Sequence, residues 1–194
     1  LFSDNWKGIT IDIEIMQTEG FKATKVVDPR LVIKKKDGKE SEVQEGWEGR
    51  VLPFELVQKK LLSDKYKEVK SLEEELASIP AKYEELLDEF DEDEKQADFI
   101  NDDQSAFVNA EVLKAIKDKN IDSQLKTKLK KVESVISEEK ILKKQLKVNS
   151  AILENNTKDR IESLSDDEVS SLLFEKWIKP LISELGTIPE TIIN

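Results

Sequence analysis

The 194-residue sequence contains no cysteine and no histidine. Without cysteine the chain forms no disulfide and offers no thiol nucleophile, and without histidine it has neither a Ser-His-Asp triad nor an imidazole general base. Zinc fingers are excluded for the same reason. A paired-carboxylate site stays open, because carboxylates are abundant, although nothing in the sequence marks one pair.

Long apolar runs are missing as well. No run approaches the roughly 20 residues of a membrane-spanning helix, and there is no signal-peptide pattern. We therefore expect a cytoplasmic protein without a membrane partner. The chain begins at Leu1 without Met and stops at Asn194 inside a helix predicted from Pro189, so we expect a longer native protein.

Glycine is scarce, with six residues, and no phosphate-binding loop is present. Gly46 and Gly49 bracket Trp47, but they lack the further glycines and the Lys of such a loop. They predict a turn that lets Trp47 pack. The acidic run near residues 91–104 lacks the spacing of a calcium-binding loop. We predict no catalytic, cofactor-binding or metal-binding residue in this chain.

Charge is what the sequence has in excess. Charged residues make up 38% and the net charge is −11, whereas globular domains are about one quarter charged. Elongated helical pairs show such an excess because they have little interior. The negative sign argues against the whole chain being a nucleic-acid-binding module, although a local basic patch remains possible.

The N-terminal region predicts antiparallel strands. Ile9–Ile15 alternates apolar and polar residues, and residues 22–27 and 30–36 are two further candidates. Asp37-Gly38 is a hairpin signal that would join residues 30–36 to residues 39–44. We expect three or four strands.

Two long helices dominate the middle of the chain. Residues 54–90 carry an apolar heptad pattern, which Pro80 is expected to kink or divide. A short helix is predicted over 105–119, and a second long helix over 123–153. Eight Lys residues lie within 126–147, against three Glu residues. We expect this basic run to offset the acidic one in an antiparallel hairpin.

The C-terminal region predicts further helices. Ser165 and Glu168 form a capping box ahead of an apolar face that ends in Trp177. Pro180 is expected to interrupt this helix, and Gly186 to cap the next one.

The predicted fold is mainly α, with a small antiparallel β region at the N-terminus and a long, coiled-coil-like helical arm. Residues 1–56 form the β-rich platform, packed with helices of residues 160–194. Residues 57–159 form the arm, with a solvated acidic tip near 91–104. We expect apolar seams to be left for a partner helix. The candidate partner-docking residues are Leu62, Val69, Leu72, Leu76, Leu129, Val132, Ile136, Leu142, Leu146 and Trp177.

Several segments resemble one family. These are "GFKATKVVDPR" (20–30), "GWEGRVLPFELVQKKLL" (46–62), "SAFVNAEV" (105–112), "SLSDDEVSSLLFEKWIKPLI" (163–182) and "IPETIIN" (188–194). They are similar to the C-terminal part of the modification (M) subunit of type I restriction-modification systems, an adenine-N6 DNA methyltransferase. The most specific pieces are "WEGRVLPFELVQ" and "LLFEKWIKPL".

The resemblance implies an accessory role for this chain. The family's Asn-Pro-Pro-Tyr/Phe motif and its loop for S-adenosylmethionine are both absent here, so the catalytic core and that cofactor would belong to an upstream part of the parent enzyme. In the family, the tail helices of the M subunit dock on the DNA specificity subunit. A second M subunit and the restriction subunit complete the assembly, and DNA is contacted mainly through the complex.

Two alternatives stay open from the residues. A free-standing coiled-coil adaptor or structural protein would use the same heptads, and an Asn-Pro-Pro-Tyr motif upstream of Leu1 would argue against it. A direct nucleic-acid binder would use the Lys-rich helix, chiefly through Lys128, Lys130, Lys131, Lys143 and Lys144.

Overall fold

The computed structural model describes residues 2–36, 38–118 and 120–183. For residues 2–5, 36 and 39 it describes the backbone only. About 70% of the described residues are helical, in six α-helices, and a two-stranded antiparallel sheet lies near the N-terminus. The predicted mainly α class is confirmed. The chain forms two compact units. Unit 1 comprises the described residues up to Tyr66 and those from Ala151 onward, and unit 2 is Lys67–Ser150.

The first element is a helix, α1 (Phe2–Glu19), so the strand predicted over Ile9–Ile15 is wrong. The alternating isoleucines would all lie on one face of a strand. The structure instead buries Ile9 and Asp12 and half-buries Met16, which are three and four residues apart, as one helix face requires. Tertiary contacts of this face override the weak helix propensity of the β-branched residues.

The next predicted strand, residues 22–27, is also wrong over most of its length. Phe21–Lys25 forms a short 3₁₀ helix in which Ala23 and Thr24 are fully buried. Strand β1 begins only at Val27. The chain enters the 3₁₀ helix through Gly20, whose φ of 83° suits glycine.

The predicted hairpin is confirmed. Strand β1 (Val27–Lys36) pairs antiparallel with β2 (Lys39–Gly49), from Val27 opposite Gly49 to Lys36 opposite Lys39. Gly38 has a φ of 76°, as tight hairpins require, and Asp37 lies outside the described residues. The register shifts between Pro29 and Leu31, and such a bulge accommodates a proline that cannot donate to the ladder. The described residues form two strands rather than three or four.

The first long helical segment divides at Leu62 rather than at Pro80. Helix α2 (Phe54–Leu61) stops before Leu62, whose φ of −127° and ψ of 35° are not helical. Helix α3 (Ser63–Asp88) then runs through Pro80. Pro80 is exposed, whereas the adjacent Ile79 is buried. Packing of the helix face that carries Ile79 therefore maintains the helix, although Pro80 removes one backbone hydrogen bond.

The acidic segment after α3 is more ordered than a solvated tip. Its carboxylates are mostly exposed, but Phe90, Phe99 and Ile100 are buried. A 3₁₀ turn forms at Glu94–Gln96, and Ile100 makes an antiparallel bridge to Phe107. Like-charge repulsion acts on the exposed carboxylates, whereas the apolar side chains between them gain free energy by leaving water.

The two remaining helices of the predicted arm differ in length from the expectation. Helix α4 (Asn109–Ala115) is shorter than the predicted 105–119, and helix α5 (Ser123–Glu162) extends nine residues beyond Leu153. The α5 extension buries Thr157 and Ile161. The buried Thr157 hydroxyl donates to the carbonyl of Leu153 at 2.6 Å, so a polar residue is accommodated on the buried face.

The final described helices confirm the capping box. Helix α6 (Asp166–Leu173) begins after Ser165, whose hydroxyl accepts the Glu168 N–H, while the Glu168 carboxylate accepts the Ser165 N–H. A π-helical turn (Phe174–Ile178) follows, and helical backbone continues over 179–183. Pro180 therefore does not interrupt the helix. A wider turn lies directly before it, where an α-helix would need the N–H that proline lacks. Gly186 lies outside the described residues.

Replacing Ser165 with Ala is expected to lower the free energy of unfolding of unit 1 by about 1 kcal/mol, because the first turn of α6 loses its side-chain acceptor. Urea unfolding followed by tryptophan fluorescence measures this, since Trp6, Trp47 and Trp177 all belong to unit 1. Ser171→Ala, at an exposed position within the same helix, is the matched control. Equal stability of the two variants would contradict the capping role.

Candidate partner-docking surfaces

The core of unit 1 joins the two sequence segments that are most specific in the resemblance. Val51, Leu52 and Val57 lie in one cluster of buried residues with Leu172 and Leu173. Side chains from α1, α5 and the start of α6 complete this core. Segments more than 100 residues apart are therefore packed as one structural element, with Trp177 half-buried at its edge.

A close approach of backbone to backbone explains Gly49. A Cβ atom at this position would lie 2.0 Å from the carbonyl oxygen of Leu52 and 3.3 Å from the Ile161 side chain. No residue other than glycine fits without movement of the main chain. The turn at residues 49–52 can thus fold tightly enough to bury both Val51 and Leu52.

Side chains of α5 contact the neighbouring Trp47. Its backbone N–H donates to the Glu154 carboxylate at 2.9 Å, and the Lys158 ammonium lies 3.6 Å from the centroid of its ring. Gly46 has a φ of 83°, a conformation that residues with a side chain rarely adopt. The turn predicted around Trp47 is wrong, because this stretch belongs to β2 and is paired with β1. Trp47 packs instead through the cation–π contact, which the sequence pattern did not reveal.

A buried polar network attaches α1 to the C-terminal helix. The Asp12 carboxylate is 8% exposed and accepts hydrogen bonds from the Lys176 ammonium and, at 2.8 Å, from Trp177 Nε1. Lys176 also donates to the carbonyl of Val51 at 2.5 Å. The sequence did not mark Asp12 for this role, because Glu14 alternates with the isoleucines of α1 in the same way.

Arg50 forms a second network in the same unit. Its guanidinium binds the Asp28 carboxylate through two hydrogen bonds, at 2.6 and 2.9 Å, and also pairs with Glu19. The hydrogen bond from Arg50 holds the pKa of Asp28 below its usual value. Because Arg50 pairs with both carboxylates, we interpret this network as a structural support for the open end of the hairpin.

Among the described residues, unit 1 nevertheless leaves an apolar face uncovered. Phe174, Ile178 and Ile182 are 51%, 40% and 57% exposed and follow one another at four-residue steps. That spacing places them along one side of the helix. A row of large apolar side chains on one helix face is a common recognition surface for another helix.

In unit 2, α3 and α5 run antiparallel and are joined by contacts between acidic and basic or polar side chains. Residue numbers fall along α5 as they rise along α3 and the segment after it. The pairs are Glu68 with Asn149, Lys82 with Glu138, Glu89 with Lys131, and Glu94 with Lys128. The expected charge offset along the helical hairpin is therefore present.

Three of the five lysines of the nucleic-acid alternative are already paired. Lys128 and Lys131 bind Glu94 and Glu89, and Lys143 binds Glu139 at 2.5 Å. A phosphate would have to displace these carboxylates. The pairing weakens the case for a basic DNA-binding face on this helix.

The ten predicted docking residues lie mainly inside the chain's own packing. Val69, Leu72, Leu129, Val132 and Leu142 are buried, and Leu62, Leu76, Ile136, Leu146 and Trp177 are half-buried. The buried five offer no surface to a partner in this conformation. Leu72, Leu142, Leu76 and Leu146 form one cluster, with Ile79, so α3 and α5 fill much of each other's seam.

A pocket of about 500 Å³ lies beside this cluster in unit 2. It is lined by Pro80, Tyr83 and Phe107, among others, and by the Glu139 and Lys143 side chains. The Tyr83 hydroxyl donates to Glu139 at 2.8 Å. Burial, and then this hydrogen bond, raise the pKa of Tyr83. Lys143 and Tyr83 together hold the pKa of Glu139 below its usual value, so Glu139 is ionised and Tyr83 neutral near pH 7.

Over the described parts of the chain, no group of three or more acidic side chains is placed to hold a metal ion. Among the same residues, no helix has the length and apolar character needed to cross a membrane.

Comparison with known proteins gives no match: no family model, curated protein or solved structure is significantly similar to this chain.

Proposed function

We propose that this chain is the C-terminal part of the M subunit of a type I restriction-modification adenine-N6 DNA methyltransferase, and that it assembles the enzyme by docking on the DNA specificity subunit. The proposal rests on the resemblance of the quoted segments. It includes a cytoplasmic location, S-adenosylmethionine bound by an upstream core, and a complex completed by a second M subunit and the restriction subunit.

One observation supports the proposal most directly. Residues 47–58 and 172–181, the two segments that carry the resemblance most specifically, share the core of unit 1 through Val51, Leu52, Leu172 and Leu173. Segments with a common structural task are expected to fold together in this way, whereas chance similarities would be scattered over the fold.

The docking face would be the exposed row of Phe174, Ile178 and Ile182. It belongs to the same helical segment as the half-buried Trp177, whose other contacts hold that segment in unit 1. A helical partner from the specificity subunit would cover the row through packing at four-residue steps. Docking would position the methyltransferase on its target, since the specificity subunit reads the DNA in this family.

Light scattering on a size-exclusion column tests the proposal, with the chain alone and then mixed with the cognate specificity subunit. We expect a stoichiometric complex. Ile178→Asp should weaken it about thirtyfold, because a charge would be placed in the centre of the apolar contact. Val148→Asp, at a similarly exposed apolar residue of α5 (49% exposed), is the matched control and should bind normally.

Two outcomes would count against the assembly role. A homodimer that ignores the specificity subunit would favour the coiled-coil adaptor instead. Equal binding by Ile178→Asp and the unaltered chain would remove the proposed face.

A further inference from the structure

The pocket of unit 2 has a preformed wall. The Asn101 side-chain oxygen accepts the N–H groups of Ser105 and Ala106 at 2.8 and 3.0 Å, and the Asn101 N–H donates to the Ala106 carbonyl at 2.9 Å. Ser105 and Ala106 both line the pocket. A loop fixed by three hydrogen bonds loses little conformational entropy when a ligand binds.

The opposite walls are apolar. Leu76, Ile79 and Pro80 contribute one turn of α3, and Phe107 packs against Tyr83 with ring centroids 6.3 Å apart. The volume of about 500 Å³ lies in the range of small-molecule pockets, about 300–1,000 Å³, and leaves room for one large side chain. Such walls suit a large apolar side chain.

The charged groups that line the pocket are mainly acidic. Its lining contains Glu84 and Glu139, and its one cation, Lys143, is bound to Glu139. Glu84 begins an acidic stretch of the sequence, residues 84–103, that holds eleven acidic residues and one Lys. Glu84 is exposed and forms no ion pair among the described residues. The Glu84 carboxylate therefore favours a cationic group on a ligand that enters the pocket.

From this geometry we propose that the pocket of unit 2 binds a basic segment of a partner protein, which inserts one large apolar side chain between Pro80 and Phe107 and places a Lys or Arg beside Glu84. The apolar walls provide the anchor, and the carboxylates select a cationic neighbour. This site lies outside the face used by the proposed function and does not depend on it.

Fluorine NMR of the whole chain, labelled with 3-fluorotyrosine, tests the site directly. The chain has two tyrosines, so Tyr83 reports on the pocket and Tyr66, in unit 1, serves as the internal reference. The first probe is a helical peptide of Lys and Ala with one central Trp. We expect saturable movement of the Tyr83 resonance and none of Tyr66.

Two altered peptides separate the parts of the proposal. Replacing the Trp with Ala should weaken binding about tenfold or more, because the apolar anchor is lost. Replacing every Lys with Glu should abolish it. Equal binding of the Glu peptide would overturn the proposed preference for a basic segment, and equal binding of the Ala peptide would overturn the apolar anchor.

Two variants of the chain complete the test. Ala106→Trp, at an exposed residue of the pocket wall, should fill the pocket and abolish the shift. Glu84→Lys should weaken binding about three- to tenfold, the range of a reversed surface charge pair. Glu85→Lys is the matched control, because Glu85 is also exposed on α3 but does not line the pocket.

General attraction of a basic peptide to an acidic chain would weaken equally in the Glu84 and Glu85 variants. Equal weakening, or an unchanged Tyr83 shift in Ala106→Trp, would overturn the proposal. The Glu84 variant decides the matter even if the tryptophan variant fails to fold, since a surface charge change of this kind leaves the core intact.

Discussion

Gly49→Ala is expected to lower the free energy of unfolding of unit 1 by about 3 kcal/mol, the upper end of the usual cost of overpacking. The new methyl group would meet the Leu52 carbonyl oxygen at 2.0 Å. That atom belongs to the backbone, so relief requires movement of the turn that buries Val51 and Leu52. Urea unfolding followed by tryptophan fluorescence measures the loss, since all three tryptophans are in unit 1.

Gly8→Ala is the matched control for this substitution. Gly8 lies within α1 and is exposed, and a Cβ atom added there would have no neighbouring atom within 4 Å. The same chemical change there should raise stability by about 0.5–1 kcal/mol, because alanine loses less backbone entropy in a helix. A Gly49 variant as stable as the unaltered chain would show that the turn moves freely.

Asp12→Ala is expected to cost about 3 kcal/mol, since it leaves a largely buried Lys176 without its carboxylate and Trp177 Nε1 without an acceptor. This value is at the lower end of the stability loss expected when a buried ion pair is broken. Lys176 keeps its hydrogen bond to Val51, and its side chain is 23% exposed. The same fluorescence measurement detects the change, because Trp177 itself reports on the network.

Two further variants isolate the cause. Asp12→Asn retains an oxygen acceptor without the charge and should lose less stability than Asp12→Ala. Glu40→Ala breaks an exposed pair with Lys35 at 2.9 Å, and it should change stability by less than about 0.5 kcal/mol. If Asp12→Ala matched Glu40→Ala, the network would contribute no more than a surface ion pair.

The features that the sequence predicted well depend on contacts between near neighbours. The Asp37-Gly38 signal fixed the hairpin between β1 and β2 because its turn geometry needs a glycine. The capping box at Ser165 and Glu168 involves residues three apart. The heptads of α3 and the apolar pattern of α5 likewise predicted long helices, whose opposite charges then pair along the antiparallel hairpin.

The predictions that were wrong concern residues whose contacts lie far away in the sequence. The alternation at Ile9–Ile15 is a valid strand pattern, but α1 is a helix whose buried Asp12 binds Lys176, 164 residues further along the chain. Pro80 carries a local signal for a break, yet α3 continues because packing of Ile79 maintains it. The buried Phe99 and Ile100 lie in a segment whose composition indicates solvent exposure.

The candidate sites divide in the same way. The row of Phe174, Ile178 and Ile182 has a four-residue spacing that can be read in the sequence, although only the structure shows that this side is exposed. The unit 2 pocket brings together Pro80, Phe107 and Glu139 from three separate segments, so no local pattern could predict it.

The sequence by itself therefore determined the mainly α class, the hairpin, the helix cap and the absence of thiol and imidazole chemistry. The tertiary structure decided which apolar residues are buried, where the long helical segment divides, and which side chains meet across the chain. The physical reason is the distance along the sequence over which each interaction acts. Turn, cap and periodicity preferences act over a few residues, whereas burial and pairing of Asp12, Gly49 or Tyr83 depend on partners brought together only by folding.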